Sequence, residues 1–136
     1  MINYNAAVYS RLSKEDENSE QSNSIVNQKR IVNQHLSNLS DIRVVCEYSD
    51  DGYSGTDFSR PQLLMMMSAI YDGKINCVAV KDLSRLGRDY IKLGKLLETV
   101  FPAYGVRLIA VNDGIDTSKG EELCDSILIP VKNLIN

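Results

Sequence analysis

The chain has 136 residues, of which 43% are hydrophobic and 24% are charged. This length suits one globular domain with its own core and is too short for two. With 15 Lys and Arg against 18 Asp and Glu, the formal net charge is -3, which excludes a global basic field that would hold nucleic acid non-specifically. Binding to nucleic acid would therefore need a local basic cluster.

The first half of the chain alternates predicted strands with predicted helices. Residues 6–10 are β-prone, and apolar residues recur at helical spacing from Ser24 onward. A second strand is predicted over residues 43–49. Asp-Gly and Ser-Gly steps then indicate a long loop, and Pro61 suits the first turn of a helix that stops at Gly73.

The second half continues the same alternation. The uninterrupted apolar run 75–80 is typical of a strand buried on both faces. Residues 90–105 predict an amphipathic helix, and residues 106–113 predict a fourth strand. This order indicates an α/β fold with a mainly parallel sheet of four or five strands flanked by helices.

The ends of the chain and its cysteines set further expectations. Apolar side chains recur at helical spacing over residues 121–136, without a C-cap and with Pro130 inside, so we interpret them as a helix that is cut short and residues 1–120 as the domain. The sequence has no signal peptide and no apolar run near the roughly 20 residues of a membrane span. The three cysteines lack CxxC spacing, and His35 is the sole histidine, so we expect free thiols, no metal site and a cytoplasmic protein without membrane association.

Polar clusters follow the predicted strands. Because the carboxyl ends of parallel strands meet at one edge of a sheet, Ser13 and the loops 50–60, 81–88 and 112–120 should gather there. Each cluster also has an ordinary explanation. Taken alone, Ser13 before an acidic run is better explained as a helix cap or loop residue, and the charges of residues 81–95 as a solvated helix face.

The convergence of four arginines favours a phosphate site instead. Arg85 and Arg88 are three residues apart, so both side chains would lie on one side of a helical turn, and Gly87 between them leaves the backbone open to a bulky partner. Arg11 and Arg60 would reach the same edge. Planar guanidinium groups bind phosphate oxygens bidentately and stabilise the charge that develops when a phosphodiester is attacked.

Ser13 is the candidate nucleophile of this site. It lies two residues after Arg11, so the two side chains would share one face of an extended strand. The chain has no GxSxG motif, and His35 lies inside a predicted helix, which disfavours a Ser-His-Asp hydrolase. The phosphate-binding loop GxxxxGK[ST] and the dinucleotide motif GxGxxG do not occur.

Four motifs resemble the serine recombinases, the family of resolvases, invertases, large serine integrases and serine transposases. The motifs are YSRLS (9–13), YSDDGYSGTDFSRPQL (48–63), DLSRLGRD (82–89) and VNDGIDT (111–117). They occur in the family's order and span nearly the whole chain. The resemblance implies a resolvase-like catalytic domain. The long stretch before the first helix and the run YSRLSKED favour the large serine recombinase or transposase branch of mobile elements.

The resemblance implies a DNA strand-exchange enzyme that uses no metal or nucleotide cofactor. Its nucleophile would be Ser13, which attacks a phosphodiester to give a 5′-phosphoserine link and a free 3′-hydroxyl. The family's phosphate-clamping arginines fall on Arg11, Arg60, Arg85 and Arg88, and its supporting positions on Tyr9, Gln28, Ser84 and Asp82. The implied partners are DNA recombination sites and, in the full-length parent, further copies that form dimers and tetramers.

Two features depart from the family's pattern. Many members have an aspartate, a proposed participant in proton transfer, where this chain has Ser84, so either Asp82 or another group substitutes or the transfer is arranged differently. The family's long assembly helix would begin near Glu121 and break off at Asn136, and the DNA-binding region that follows it would be missing. We therefore expect the 136 residues by themselves to be poorly active.

Two other functions stay open at this point. The chain could be a non-catalytic assembly or regulatory module with a resolvase-like fold, in which Ser13 is an ordinary loop residue. A metal-free phosphoesterase that uses the same pocket is disfavoured, because hydrolysis needs an activated water and no base is evident.

Overall fold

The computed structural model describes residues 1–13 and 24–119. Within them the strands are β1 (Tyr4–Leu12), β2 (Ile42–Asp51), β3 (Cys77–Val80), β4 (Arg107–Ala110) and β5 (Ile115–Asp116). The helices are α1 (Ile25–Leu36), α2 (Pro61–Tyr71), α3 (Leu83–Leu86), α4 (Tyr90–Lys95) and α5 (Phe101–Ala103). The helix expected over residues 121–136, the acidic run after Ser13 and the thiol of Cys124 lie outside the described residues.

The strands form one sheet in the order β2-β1-β3-β4-β5. The first four are parallel to their neighbours, and β5 is antiparallel to β4. The predicted mainly parallel α/β sheet is therefore confirmed. Because β1 lies between β2 and β3, the segments that follow these three strands emerge side by side at the carboxyl edge.

Helices cover both faces of the sheet. Alternate residues of β1 point to opposite faces: Tyr9 packs in the core with α2 and the helical segment 90–103, whereas Val8 packs in the core with α1. Both side chains are fully buried. Arg11 follows Tyr9 by two residues, so it lies on the α2 face, where the guanidinium group can reach residues 53 and 84–85.

The predicted helix over residues 90–105 is present but is not regular. A π-helical turn at Leu96–Val100 joins α4 to α5. The N–H of Phe101 bonds to the carbonyl of Leu96, five residues earlier. Pro102 has no N–H to donate, so the regular α-helical bond to Glu98 cannot form, and the wider turn accommodates this gap.

The prediction of a loop over residues 112–120 is correct only for part of this segment. It contains β5, whose two residues are too short to show an alternating pattern in the sequence, and a 3₁₀ turn at Thr117–Lys119. The part before β5 does reach the carboxyl edge, because Asp113 Oδ2 accepts a hydrogen bond of 2.7 Å from the N–H of Leu83 at the start of α3.

An ion-pair cluster connects the amino end of β4 to β5 and to the residue before β2. Arg107 donates in bidentate fashion to Asp116, with Nε–Oδ1 and Nη2–Oδ2 distances of 2.8 and 2.7 Å, and Nη1 lies 3.2 Å from Asp41 Oδ2. Its guanidinium carbon lies 4.9 Å from the ring centre of Tyr4. Burial by itself would raise the pKa of Asp116, but the hydrogen bonds from Arg107 and Ser118 outweigh it and hold the pKa at about 2.

The pKa of Asp116 predicts acid sensitivity of the fold. Its folded value lies below the value of about 3.9 for an unfolded aspartate, so its stabilising contribution is present above that value and is lost as the pH falls through about 4 toward 2. We expect the free energy of unfolding, measured by denaturant titration from pH 6 to pH 2, to fall less steeply in Asp116→Asn than in the unmodified protein. An unchanged pH dependence would show that this ion pair does not stabilise the fold.

Neither Cys46 nor Cys77 forms a disulfide. Burial raises the pKa of the Cys77 thiol to about 12, which makes it an unreactive core residue. In the described ranges no helix has the length and apolar character needed to cross a membrane.

Candidate active site

The side chains of two predicted arginines, Arg11 and Arg60, meet at the backbone carbonyl of a third, Arg85, at the carboxyl edge of the sheet. The carbonyl oxygen of Arg85 accepts hydrogen bonds from Arg11 Nε at 3.2 Å and from Arg60 Nη1 at 3.0 Å. Arg85 Nη1 in turn donates to the carbonyl oxygen of Arg11 at 2.9 Å. Arg11 and Arg60 are fully buried, and Arg85 is 4% exposed. The structure thus brings together side chains that are up to 74 residues apart in the chain.

Arg11 is held on both its backbone and its side chain. Its guanidinium group also donates to the carbonyl oxygens of Tyr53 at 3.1 Å and Ser84 at 2.7 Å. Gln28, which is buried on α1, accepts from the N–H of Arg11 at 3.2 Å and donates to its carbonyl at 2.9 Å. Gln28 therefore fixes the backbone of Arg11 near the end of β1.

Arg60 is oriented by Tyr9. The Tyr9 hydroxyl accepts a hydrogen bond of 2.9 Å from Arg60 Nη1 and donates one of 2.7 Å to Asp50 Oδ2. Burial raises the pKa of Tyr9, so the phenol keeps its proton and can donate it. Arg60 further donates to the carbonyl oxygens of Asp57 and Leu86. Burial lowers the pKa of Arg60 from its ordinary value, but a guanidinium group starts so far above neutrality that it stays charged.

Asp50 is a buried carboxylate that the sequence analysis missed. Besides the Tyr9 hydroxyl, it accepts hydrogen bonds of 3.0 Å from the N–H groups of Gln62 and Leu63 in the first turn of α2. A carboxylate at a helix N-terminus is favoured by the exposed N–H groups there. Asp50 therefore couples the start of α2 to the Tyr9–Arg60 pair. The signal that the sequence offered was its position directly after the predicted strand 43–49.

Arg88, the fourth predicted arginine, joins the group through Gly55. The N–H of Arg88 donates to the carbonyl of Gly55 at 2.7 Å. A Cβ placed on Gly55 would lie 2.7 Å from Arg88 Cγ and 3.0 Å from Arg11 Nη2, so only a residue without a side chain fits between the two arginines. Arg88 is half-buried, which makes it the most accessible of the four.

The remaining predicted residues lie at the same edge. Ser13 directly follows β1 and is 5% exposed. The Ser84 hydroxyl donates to Asp82 Oδ1, which also accepts from the N–H of Arg85 at 3.3 Å and from its Nε at 3.4 Å. Asp82 and Ser84 therefore help to hold Arg85 in place.

The cluster is electrostatically suited to an anion. Most of the described hydrogen bonds of Arg11 and Arg60 end on neutral carbonyl oxygens, which orient the guanidinium groups. Positively charged, rigidly held groups stabilise phosphate strongly, because they do not have to reorganise as negative charge develops. Among residues 1–13 and 24–119, no three His, Cys, Asp or Glu side chains are grouped to hold a metal ion.

The arginine cluster at the carboxyl edge is the candidate site of this α/β domain, and comparisons with known proteins show the family to which the domain belongs. The family model "Resolvase, N terminal domain" matches residues 6–129. A search of curated proteins found no match.

Solved structures indicate the same family. A resolvase family site-specific recombinase from Streptococcus pneumoniae is 32% identical, with 96% of this chain and 87% of that chain covered and a TM-score of 0.74. The N-terminal catalytic domain of TP901-1 integrase is 26% identical, with 96% and 95% covered and a TM-score of 0.79. The C-terminal catalytic domain of ISC1926 TnpA, an IS607-like serine recombinase, is 21% identical over 79% and 67% of the two chains, and its TM-score of 0.66 shows a shared fold.

The chain belongs to the resolvase N-terminal domain family and is a serine recombinase catalytic domain. This confirms the family and the fold that the four sequence motifs predicted. The roles of the individual site residues stay predictions.

Proposed function

We propose that this domain cleaves and rejoins DNA at specific sites through a covalent bond between Ser13 and a 5′-phosphate. The observation that supports this most is the meeting of the Arg11 and Arg60 side chains at the backbone carbonyl of Arg85, whose own side chain donates to the carbonyl of Arg11, at the end of the strand that Ser13 directly follows. Such a set of fixed positive charges next to a serine suits phosphoryl transfer better than any other chemistry that the edge could perform.

The proposed reaction is a transesterification. Ser13 Oγ attacks the phosphorus and loses its proton, a bond forms between Oγ and phosphorus, and the bond between phosphorus and the 3′-oxygen breaks. The leaving 3′-oxygen takes up a proton. Rejoining reverses these steps with the 3′-hydroxyl of the exchanged strand as the nucleophile. Because the phosphoserine link conserves the energy of the phosphodiester, no nucleotide or metal cofactor is required.

The four arginines would divide the work according to their burial. Arg85 and the half-buried Arg88 would contact the phosphate oxygens. The fully buried Arg11 and Arg60 would act from behind, by their charge and by holding the carbonyl of Arg85. As guanidinium groups stay charged at any working pH, the clamp itself would not limit the pH range of cleavage.

The supporting residues would act through the arginines. Tyr9 orients Arg60, Gln28 fixes the backbone of Arg11, and Ser84 and Asp82 hold Arg85. In the full-length protein, residues 1–120 would form the catalytic unit and residues 121–136 would begin the helix through which copies assemble into dimers and tetramers on DNA.

The linkage chemistry can be tested on the full-length protein with a duplex that carries its recombination site, labelled on either side of the cleavage point. After denaturation in the presence of a metal chelator, we expect a protein–DNA adduct on the fragment with the new 5′-end and a free 3′-hydroxyl on the other fragment. Two free DNA ends would indicate a hydrolytic phosphoesterase. Binding without cleavage in an assembled complex would indicate a non-catalytic module.

A further inference from the structure

Phe58 fills the space that the glycine between two of the arginines leaves open. The half-buried ring of Phe58 lies so close to the backbone of Gly87 that a Cβ placed there would collide with two of its ring atoms. Gly87 has a φ of 178°, which any residue can adopt. Glycine is therefore needed at position 87 for space, and the bulky partner expected there is a side chain of this same chain.

The ring of Phe58 is also close to two cations. The guanidinium carbon of Arg60 is 5.2 Å from the ring centre, and the Nζ of Lys92 is 5.9 Å from it. Both distances are within the range in which a cation is attracted to the face of an aromatic ring. Arg60 thus contacts a residue of its own loop, since Phe58 lies two residues before it in the chain.

The Phe58–Gly87 contact is one of several that fasten two segments together. The loop between β2 and α2 carries Arg60, and the turn between α3 and α4 carries Arg88. The N–H of Arg88 binds the carbonyl of Gly55 at 2.7 Å, and Arg60 donates to the carbonyl of Leu86. Phe58 lies between these two hydrogen-bonded points in the sequence of the loop, and its aromatic ring is a stiff spacer.

We propose that Phe58 is a positioning residue for the phosphate clamp. By packing its ring on Gly87, it fixes the separation of Arg60 from Arg85 and Arg88, and hence the geometry in which the arginines meet a phosphate. This inference rests on the proposed function, because it assigns to Phe58 a role in that reaction.

The first test is the rate of single-turnover cleavage by the full-length protein at saturating site DNA. A displacement of about 1 Å at a reacting centre can cost about 10²-fold in rate. We therefore expect Phe58→Ala to cleave roughly 10- to 100-fold more slowly and Phe58→Leu to show a smaller loss, with DNA affinity unchanged in both. Leu97→Ala is the control, because Leu97 is half-buried against the same core but lies in the segment 96–100, away from the arginines.

A second test separates positioning from a general loss of stability. Replacing the scissile phosphate by a neutral methylphosphonate removes the charge that the clamp binds. The defect of Phe58→Ala should then shrink, because the placement of the arginines matters less. A loss that is equal on the charged and the neutral substrate would overturn the proposal and leave Phe58 with a structural role.

The contact itself is tested by a pair of variants. Gly87→Ala should slow cleavage, because the new methyl group displaces the ring of Phe58. The double variant Gly87→Ala with Phe58→Ala should cleave at about the rate of Phe58→Ala alone, because the added methyl group has no ring to collide with. If the unmodified protein forms the Ser13 adduct and Phe58→Ala cleaves at the unmodified rate, this inference fails and the proposed function stands. If the unmodified protein forms no adduct, both fall.

Discussion

Replacement of Ser13 by alanine is expected to abolish strand cleavage and the covalent protein–DNA adduct. The Oγ of Ser13 is the atom that would bond to phosphorus, and a methyl group cannot form that bond. Ser13 directly follows β1, and alanine suits the same backbone, so the fold and the affinity for DNA should remain. The loss should therefore appear in the chemical step alone, as complete absence of adduct on a denaturing gel at a DNA concentration that saturates binding.

Ser10 provides a matched control for this experiment. It lies on β1, three residues before Ser13, and is buried, but among residues 1–13 and 24–119 its hydroxyl has no hydrogen-bond partner. Its position in the alternation of β1 places it on the α1 face with Val8, away from the arginines. Ser10→Ala should therefore cleave like the unmodified protein, and it should be as stable or more stable, because an unpaired buried hydroxyl is unfavourable. Adduct formation by Ser13→Ala would show that another residue is the nucleophile.

Replacement of Arg85 by alanine is expected to slow cleavage by about 10²- to 10³-fold, the usual effect of removing one fixed charge-stabilising group. The backbone carbonyl that Arg11 and Arg60 share would remain, because it belongs to the main chain. The substitution therefore removes one charge without removing the point that gathers the others. Arg85→Lys should recover only part of the rate, because an ammonium group keeps the charge but lacks the planar fork.

Arg43 is the charge-matched control for Arg85. It is an exposed arginine of β2 whose Nη2 donates to Asn5 Oδ1 at 3.0 Å, outside the cluster. Arg43→Ala changes the net charge by the same amount and should leave the rate of cleavage nearly unchanged. The measurement is the single-turnover rate with each variant at saturating DNA. A rate for Arg85→Ala close to that of the unmodified protein would remove Arg85 from the clamp.

The sequence predicted those features of the fold that depend on local pattern. The buried strand β3 was visible as an apolar run, and the alternation of strands and helices was enough to predict that Arg11, Arg60 and Arg85 would reach one edge of a parallel sheet. Strand β5 was missed because two residues are too few to show a period. The π-helical turn was missed because Pro102 changes hydrogen bonding without changing the apolar pattern.

The contacts around the arginines could not be predicted from local pattern. The importance of Asp50 depends on the Tyr9 hydroxyl and on the first turn of α2, which lie 41 and 12 to 13 residues away in the chain. Sequence reasoning also gave no sign that Arg11 and Arg60 are buried and bound to backbone carbonyls. Such bonds are set by the packing of loops against each other, and loop packing leaves no periodic signal in the sequence.

The chemical identity of the link between protein and DNA tests the central claim most directly. The adduct formed by the full-length protein would be trapped by denaturation, digested with nuclease and protease, and mapped by mass spectrometry. We expect a nucleotide joined through its 5′-phosphate to Ser13 and to no other residue of the peptide that contains it. A nucleotide on Ser10 or on Tyr9, or a linkage through a 3′-phosphate, would contradict the account.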